Sequence, residues 1–257
     1  MSERARRNLF RVLLAAEMLV YLGWQLSHLE GFQWSTDEGI YLMRVRLMQQ
    51  GYALYRDIWT DQLPGLIELL RVVFALCGTS VAVGRAVIVL VSMFGLLGTA
   101  ALARQLSGRI GALLVVPFLA LAPNFFWLSR AMVSPDLPSI SLGIVGLVMM
   151  GHYVRGHRTC WLIASGVACA AGIYIKATAI LAIAPAGVWL IADWYRAPER
   201  DIRGLLRGAG LWGGALVLPF ALALSFHDLP ALWDQFVGTQ VASSQMKLKI
   251  GPHAVKI

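Results

Sequence analysis

The chain has 257 residues, of which 58% are hydrophobic and only 14% are charged, and its mean hydropathy is +0.67. A soluble domain carries about 25% charged residues, so this composition excludes an ordinary soluble domain and predicts a polytopic membrane protein. The net charge of +8 does not indicate nucleic-acid binding, because the arginines stand singly between apolar runs and form no basic cluster interleaved with aromatic residues.

Apolar runs long enough to cross a bilayer recur along the chain. A span needs about 20 such residues, and the candidates are 9–27, 81–103, 110–128, 137–154, 160–175, 177–195 and 205–226. The first run follows a basic N-terminus but has no small-residue cleavage site after it, so we expect it to remain as a span. The predicted fold class is all-α, with about seven transmembrane helices in a single membrane-embedded domain over residues 1–257.

The run at 65–78 is too short for a span and carries Glu68 and Arg71, which favours an interfacial or re-entrant helix. If it does not cross, the arginines between the spans all fall on one side, which the positive-inside rule makes cytoplasmic. We therefore expect a cytoplasmic N-terminus, a long first external loop at 28–80 that carries interfacial helices, and an external C-terminal segment at 227–257. The expected location is a bacterial plasma membrane.

The stretch "WSTDEGIYLMRVRLMQQG" opens with two adjacent acids, Asp37 and Glu38. Ser35 and Glu38 have the spacing of a capping box, and the helix dipole would stabilise the negative charge of Asp37 in the first turn. Together these two effects would stabilise the helix by about 1 to 2 kcal/mol. This structural interpretation alone would explain both acids. The helix that follows is expected to place Tyr41 on one side and Arg44 on the other.

More charged residues are predicted to lie on the same external side of the membrane. Asp57 and Asp61 lie in "YRDIWTDQLPG", and Asp136 lies in "SRAMVSPDLP" at the start of the fourth span. Three cations share that side, namely Arg85, Arg130 and Lys176. Ionisable groups at membrane depth indicate function, although each cation could instead be a side chain that reaches the interface from a helix end.

Four segments together resemble the membrane-embedded glycosyltransferases of the C-type fold, which use lipid-phosphate-linked sugars and include protein O-mannosyltransferases and lipid A aminoarabinose transferases. The segments are "DEGIYLMRVRLMQQGYALYRDIWTDQLPG", "RAMVSPDLPSISLGIVGL", "GIYIKATAILAIAP" and "LPALWDQFVGTQVAS". The resemblance implies that Asp37 is the catalytic carboxylate with Glu38 as its neighbour. It places the acid of the first loop's second helix on Asp61 and the acid of the second loop on Asp136.

This resemblance implies transfer of a sugar from a polyprenyl-phosphate donor to a lipid, glycan or protein acceptor at the external membrane face. Asp37 would act as the base, and Arg85, Arg130 and Lys176 would bind the donor phosphate. A divalent cation between Asp37, Asp61 and Asp136 stays open, although no histidine pair supports it. No other cofactor is expected, and the other partners are membrane lipids, without nucleic acid.

Two departures from the family pattern concern the donor site. Gln62 stands where related proteins often have a lysine, so phosphate binding must rest on other cations. Family members also usually continue well beyond this length, so we expect a truncated gene product.

Two alternatives to an enzyme remain open: a transporter or lipid flippase, and an inactive fragment that binds a partner. The sequence shows no internal repeat of the kind common in transporters, and its acids cluster near one surface.

Overall fold

The structure is a computed structural model that describes residues 2–31, 36–129, 133–197, 201–239 and 241. Across these residues the chain is helical, with one isolated bridge between Leu54 and Ile58 and no named strand. The helices are α1 (Glu3–Leu26), α2 (Thr36–Gln49), α3 (Gly65–Cys77), α4 (Val81–Ala120), α5 (Pro123–Leu128), α6 (Asp136–Gly156), α7 (Thr159–Ile175), α8 (Ile183–Arg196), α9 (Ile202–Leu224) and α10 (Leu229–Trp233). A short 3₁₀ helix (Ala177–Ala182) leads into α8, and a π-helical turn (Asp234–Gly238) follows α10.

Five helical segments within the described ranges are long and apolar enough to cross a membrane. They are Glu3–Leu26, Val81–Ala120, Asp136–Gly156, Ala177–Arg196 and Ile202–Leu224. The predicted all-α polytopic class is therefore confirmed. The number of seven spans stays a prediction, because it also requires α7, which has only 17 residues, and a division of α4 into two spans.

Helix α4 is divided at Gly108, whose φ of 79° and ψ of −165° lie outside the helical region. Glycine adopts this conformation without a steric penalty because it has no Cβ atom. Leu96 and Ala100, which precede the break, share a buried cluster with Ala112 and Val116, which follow it. The chain therefore reverses at Gly108, and the second part of α4 packs back on the first part and on α1.

Small residues let the backbones of the central helices approach closely. A side chain at Gly146 of α6 would meet the sulfur of Cys169 in α7, and one at Gly166 of α7 would meet the backbone of Trp212 in α9. Small residues at such crossings are characteristic of membrane helices, whose association depends on packing and not on exclusion of water. Helices α6, α7 and α9 thus form a closely packed layer.

Helices α2 and α3 lie across one end of this bundle. Leu66, Ile67 and Leu70 of α3 have no exposed surface and pack in one cluster with Val45 of α2 and Ile88 of α4. At about 1.5 Å per residue, the 13 residues of α3 extend about 20 Å, which is shorter than a bilayer core. The protein buries one face of α3, while Leu69, Val72 and Leu76 on its other face are exposed.

Two contacts fix the first loop at this end of the bundle. At Gly65, a Cβ atom would lie 2.7 Å from the carbonyl oxygen of Tyr174, so the start of α3 directly contacts the end of α7. The amide of Gln235 donates from Nε2 to the carbonyl oxygen of Tyr55 at 2.6 Å, and its Oε1 accepts from the N–H of Thr60 at 2.9 Å. The segment after α10 therefore holds the loop that precedes α3.

This arrangement predicts that residues 57 and 203 lie on opposite sides of the membrane. Helix α9 starts at Ile202, is about 34 Å long, and ends just before His227, which contacts Glu68 of α3. In a background with the three cysteines replaced by alanine, we expect a membrane-impermeant thiol reagent to label Asp57→Cys in intact cells. Arg203→Cys should be labelled only after the cells are permeabilised, and labelling of both from the same side would contradict the topology.

Candidate functional site

A buried ion pair joins α2 to α4 at the end of the bundle that carries the first loop. Arg85 donates from Nε to Oε2 of Glu38 at 2.9 Å and from Nη2 to Oε1 at 2.7 Å. Glu38 and Arg85 are only 6% and 5% exposed. A bidentate pair of this kind has a fixed geometry, which is why a planar guanidinium suits it better than an ammonium group.

The two side chains also form hydrogen bonds with backbone groups of two other segments. Nη1 of Arg85 donates to the carbonyl oxygens of Leu29 at 2.7 Å and Gly31 at 2.9 Å, and the N–H of Val133 donates to Glu38 Oε2 at 3.1 Å. Four of the five guanidinium donors of Arg85 are thus used within the protein. This geometry favours a structural role for Arg85, and its predicted role in binding the donor phosphate stays untested.

Asp37 lies next to Glu38 in the first turn of α2 but in a different environment. Its side chain is exposed, and it makes no hydrogen bond or ion pair with any other residue that the structure describes. The Ser35 half of the predicted capping box lies outside the described residues. The two adjacent acids therefore differ: Glu38 is fixed by Arg85, whereas the Asp37 carboxylate is open to solvent or a ligand.

Asp136 and Lys176 meet from separate segments of the chain. Nζ of Lys176 lies 2.6 Å from Oδ1 of Asp136, and the hydroxyl of Ser134 donates to Oδ2 at 2.6 Å. Ser139 donates to the carbonyl oxygen of Lys176 at 2.9 Å and so holds the junction between α7 and the 3₁₀ helix. Lys176 therefore has an anionic partner, Asp136, from another segment of the chain.

Asp61 is paired with a cation that the sequence analysis did not select. Nη2 of Arg44 lies 3.8 Å from Oδ1 of Asp61, and its guanidinium carbon lies 5.8 Å from the ring centroid of Tyr41 and 6.0 Å from that of Trp59. The expectation that Arg44 faces away from Tyr41 is wrong. Residues three apart on a helix are neighbours on its surface, and the loop around Trp59 buries Arg44 to 6% exposure.

Tyr41 is at the centre of these charged groups. Burial, which is the largest cause, raises the pKa of the Tyr41 phenol well above its ordinary value. The negative charges of Asp61, Asp136 and Asp37 raise it further, while the positive charge of Arg44 opposes them. Three of the predicted site acids therefore act on one phenol group, which stays protonated and able to donate a hydrogen bond at neutral pH.

A second polar cluster lies beyond Tyr55, whose ring contacts that of His227 edge-on at 5.6 Å. The hydroxyl of Tyr174 donates to Glu68 at 2.9 Å and lies 3.1 Å from Nε2 of His227. Burial lowers the pKa of His227 below its usual range, so the imidazole is neutral at neutral pH. A cavity of about 710 Å³ opens here, with Glu68, His227 and Arg71 in its wall. Neither Tyr174 nor His227 stands in a motif that predicts a functional role from the sequence.

Two parts of the predicted site find no counterpart in these contacts. Arg130 lies outside the described residues. Within the described ranges, no group of three or more His, Cys, Asp or Glu side chains is arranged to hold a metal ion. The hypothesis of a divalent cation between Asp37, Asp61 and Asp136 therefore has no structural support.

The buried pair predicts a large effect on stability. Arg85→Gln leaves the Glu38 carboxylate buried without its partner, which costs about 3 to 5 kcal/mol in comparable pairs. We expect a clear drop in the thermal unfolding temperature of the detergent-solubilised protein. The matched control is Arg46→Gln, because Arg46 is an exposed arginine of α2. Equal unfolding temperatures for the two variants would show that the pair does not hold this end of the bundle together.

The sequence of this chain matches the model of one known protein family. Residues 63–222, which are more than half of the chain, match the family described as dolichyl-phosphate-mannose-protein mannosyltransferase. The matched region contains Arg85, Asp136 and Lys176, whereas Asp37, Glu38 and Asp61 precede it. A comparison with curated proteins gave no match. The length of the family match shows that this chain is a member of the dolichyl-phosphate-mannose-protein mannosyltransferase family.

Proposed function

We propose that this protein transfers a sugar from a polyprenyl-phosphate carrier to a lipid, glycan or protein acceptor at the external face of the membrane. The family establishes the coarser statement, that the chain is a membrane glycosyltransferase of the mannosyltransferase type. The sugar, the acceptor and the face of the membrane belong to the proposal.

The observation that carries this proposal is the unequal environment of the two adjacent acids. Glu38 has both oxygens engaged by Arg85, while Asp37 is exposed beside a cluster whose other acids, Asp61 and Asp136, each have a cationic partner. A general base must be within reach of the acceptor and must not be neutralised by a permanent ion pair. Among these acids, Asp37 is exposed and has no ion pair with a described residue, which supports its assignment as the base.

The proposed step forms one bond and breaks another. An acceptor hydroxyl oxygen attacks the anomeric carbon of the donor sugar, and its proton passes to a carboxylate oxygen of Asp37. The bond between the anomeric carbon and the phosphate oxygen breaks, and the bonding electron pair leaves with the polyprenyl phosphate. Protonated Asp37 then returns its proton to water. The reaction needs no oxidant or reductant, and its main requirement is positive charge near the leaving phosphate.

Lys176 and Arg44 are the proposed sources of that positive charge, and Arg130 remains a third candidate from the sequence. Lys176 is about one-quarter exposed and shares its charge with Asp136, so a phosphate oxygen could join or replace Asp136 as its partner. Arg44 contacts Asp61 at 3.8 Å, longer than a close ion pair, which leaves its guanidinium with donors for a phosphate. The protonated hydroxyl of Tyr41 offers a further hydrogen bond.

The role of Asp37 predicts a loss of rate without a loss of fold. Asp37→Asn keeps the size of the side chain but cannot accept a proton, and removal of a general base costs about 100-fold or more in rate. The measurement is mass-spectrometric detection of sugar transferred from polyprenyl-phosphate mannose in nanodiscs, with cell-envelope lipid and protein extracts as acceptors. The thermal unfolding temperature should change little, because Asp37 makes no hydrogen bond or ion pair with the described side chains.

Glu38→Gln is the comparison variant for this experiment. It weakens the ion pair with Arg85, so we expect it to lower the unfolding temperature, with transfer reduced in proportion to the folded protein that remains. If Asp37→Asn transfers sugar at the unaltered rate, Asp37 is not the base. If no variant and no condition shows transfer while the protein moves lipid between leaflets, the transporter alternative replaces the enzyme.

The role of Lys176 predicts a weaker interaction with the donor. Lys176→Met should raise the donor concentration needed for half-maximal transfer by about tenfold or more, whereas Lys176→Arg should keep part of the affinity because the charge remains. Titration of the donor in nanodiscs measures both. Unaltered behaviour of Lys176→Met at limiting donor would show that Lys176 only anchors the helix end.

A double variant separates phosphate binding from the ion pair itself. Lys176→Met leaves Asp136 without its cation, which by itself could disturb the site. In Lys176→Met/Asp136→Asn neither charge remains, so stability should return towards that of the unaltered protein. We expect the donor requirement to stay high in this double variant. Recovery of donor affinity together with stability would assign Lys176 a structural role and leave the phosphate to Arg44 and Arg130.

A further inference from the structure

A second polar cavity lies at the end of the bundle away from Asp37. Helices α4 and α6 each begin near the candidate site, at Arg85 and Asp136, and run to this opposite end, where they carry Arg104 and Arg155. These two arginines line a cavity of about 550 Å³ between α1, α4 and α6. This cavity shares no residue with the proposed catalytic machinery.

The wall of this cavity has one basic and one apolar part. Arg104, Arg155, Gln105 and His152 form the polar part, and Phe10, Leu14, Leu97, Ala100 and Ala101 form the apolar part. None of the described residues in this wall is acidic. In the part of the chain that the structure describes, neither Arg104 nor Arg155 forms an ion pair. The guanidinium of Arg104 instead lies 5.2 Å from the ring centroid of Phe10.

The apolar part continues into a groove along α1 and α4. This groove has a volume of about 410 Å³, shares Leu14 and Leu97 with the cavity, and extends past Met18, Leu22 and Met93 towards the middle of the bundle. It is almost entirely apolar, apart from Arg11. A basic cavity that opens into a long apolar groove matches the shape of a phospholipid, which has an anionic headgroup at one end and an acyl chain at the other.

Gln105 joins this wall to α6. Its Nε2 donates to the carbonyl oxygen of Val148 at 3.3 Å, and its Oε1 is buried against Gly151, where an added Cβ atom would clash with that oxygen. The amide of Gln105 therefore faces α6, and the two arginines are the groups of the wall that can bind an anion.

We propose that this cavity and groove bind an anionic phospholipid, with its phosphate between Arg104 and Arg155 and one acyl chain along Leu14, Leu97 and Met93. Basic pockets between transmembrane helices recognise anionic headgroups, and each arginine near the membrane surface adds about 1 kcal/mol. The bound lipid belongs to the leaflet opposite the candidate catalytic site. The ligand joins α1 to α4 and α6.

Native mass spectrometry of the full chain tests this proposal, with phosphatidylglycerol and phosphatidylcholine of identical acyl chains as probes. We expect the protein to retain phosphatidylglycerol preferentially. Arg104→Gln/Arg155→Gln should weaken that binding by about 10- to 30-fold, as expected for the loss of two arginines. The matched control is Arg158→Gln/Arg207→Gln, which removes the same charge from exposed residues outside the cavity and should change binding less than about twofold.

A second variant separates a lipid site from a simple anion site. Ala101→Phe keeps both arginines but fills the apolar part of the cavity, so it should also weaken phosphatidylglycerol binding, and millimolar inorganic phosphate should not displace the lipid. Equal binding of the two lipids, or equal losses in the cavity and control pairs, would overturn the proposal. Displacement by phosphate, with no effect of Ala101→Phe, would replace it with a site for free phosphate. Ala101→Phe gives this answer even if the double arginine variant fails to fold.

Discussion

The buried pair between Glu38 and Arg85 is the interaction on which the candidate site depends. It binds α2 to α4 and, through the same two side chains, holds the carbonyl groups of Leu29 and Gly31 and the N–H of Val133. Burial of two charges is costly, so such a pair persists only when nearly all of its donors and acceptors are satisfied. Here that requirement joins α2 and α4 to two further segments, and it fixes the first turn of α2, where Asp37 precedes Glu38.

The charges around Tyr41 differ in how far they are neutralised. Arg85 uses four of its five donors within the protein, Lys176 and Asp136 form a partly exposed pair, and Arg44 contacts Asp61 more loosely. This gradation suits a reaction in which one carboxylate must take a proton while a phosphate leaves. A fixed structural pair cannot respond to developing charge without loss of the fold, whereas a partly exposed pair can exchange one partner for the substrate.

The two ends of the bundle present different chemistry to the two leaflets. The end with α2 and α3 combines acids, cations and aromatic residues, and its polar cluster of Glu68, Tyr174 and His227 extends the site beyond Tyr55. The other end is basic, and none of the described residues in the wall of its cavity at Arg104 and Arg155 is acidic. Helix α4 connects the two ends, because Arg85 and Arg104 both belong to its continuous part before the break at Gly108.

The sequence by itself determined the membrane class, the helical fold and the short helix at 65–78, because each follows from composition and from the length of apolar runs. It also predicted site roles for Asp37, Asp61 and Asp136 from a family pattern and for Lys176 from its charge on the same predicted side of the membrane, and these roles stay predictions. Only the tertiary structure decided the partners of these charges. The pairing of Glu38 with Arg85, the contact of Arg44 with Asp61 and the contact of His227 with Tyr174 join residues from different segments of the chain. Local periodicity shows which face of a helix a residue occupies, but the packing of helices determines what that face contacts.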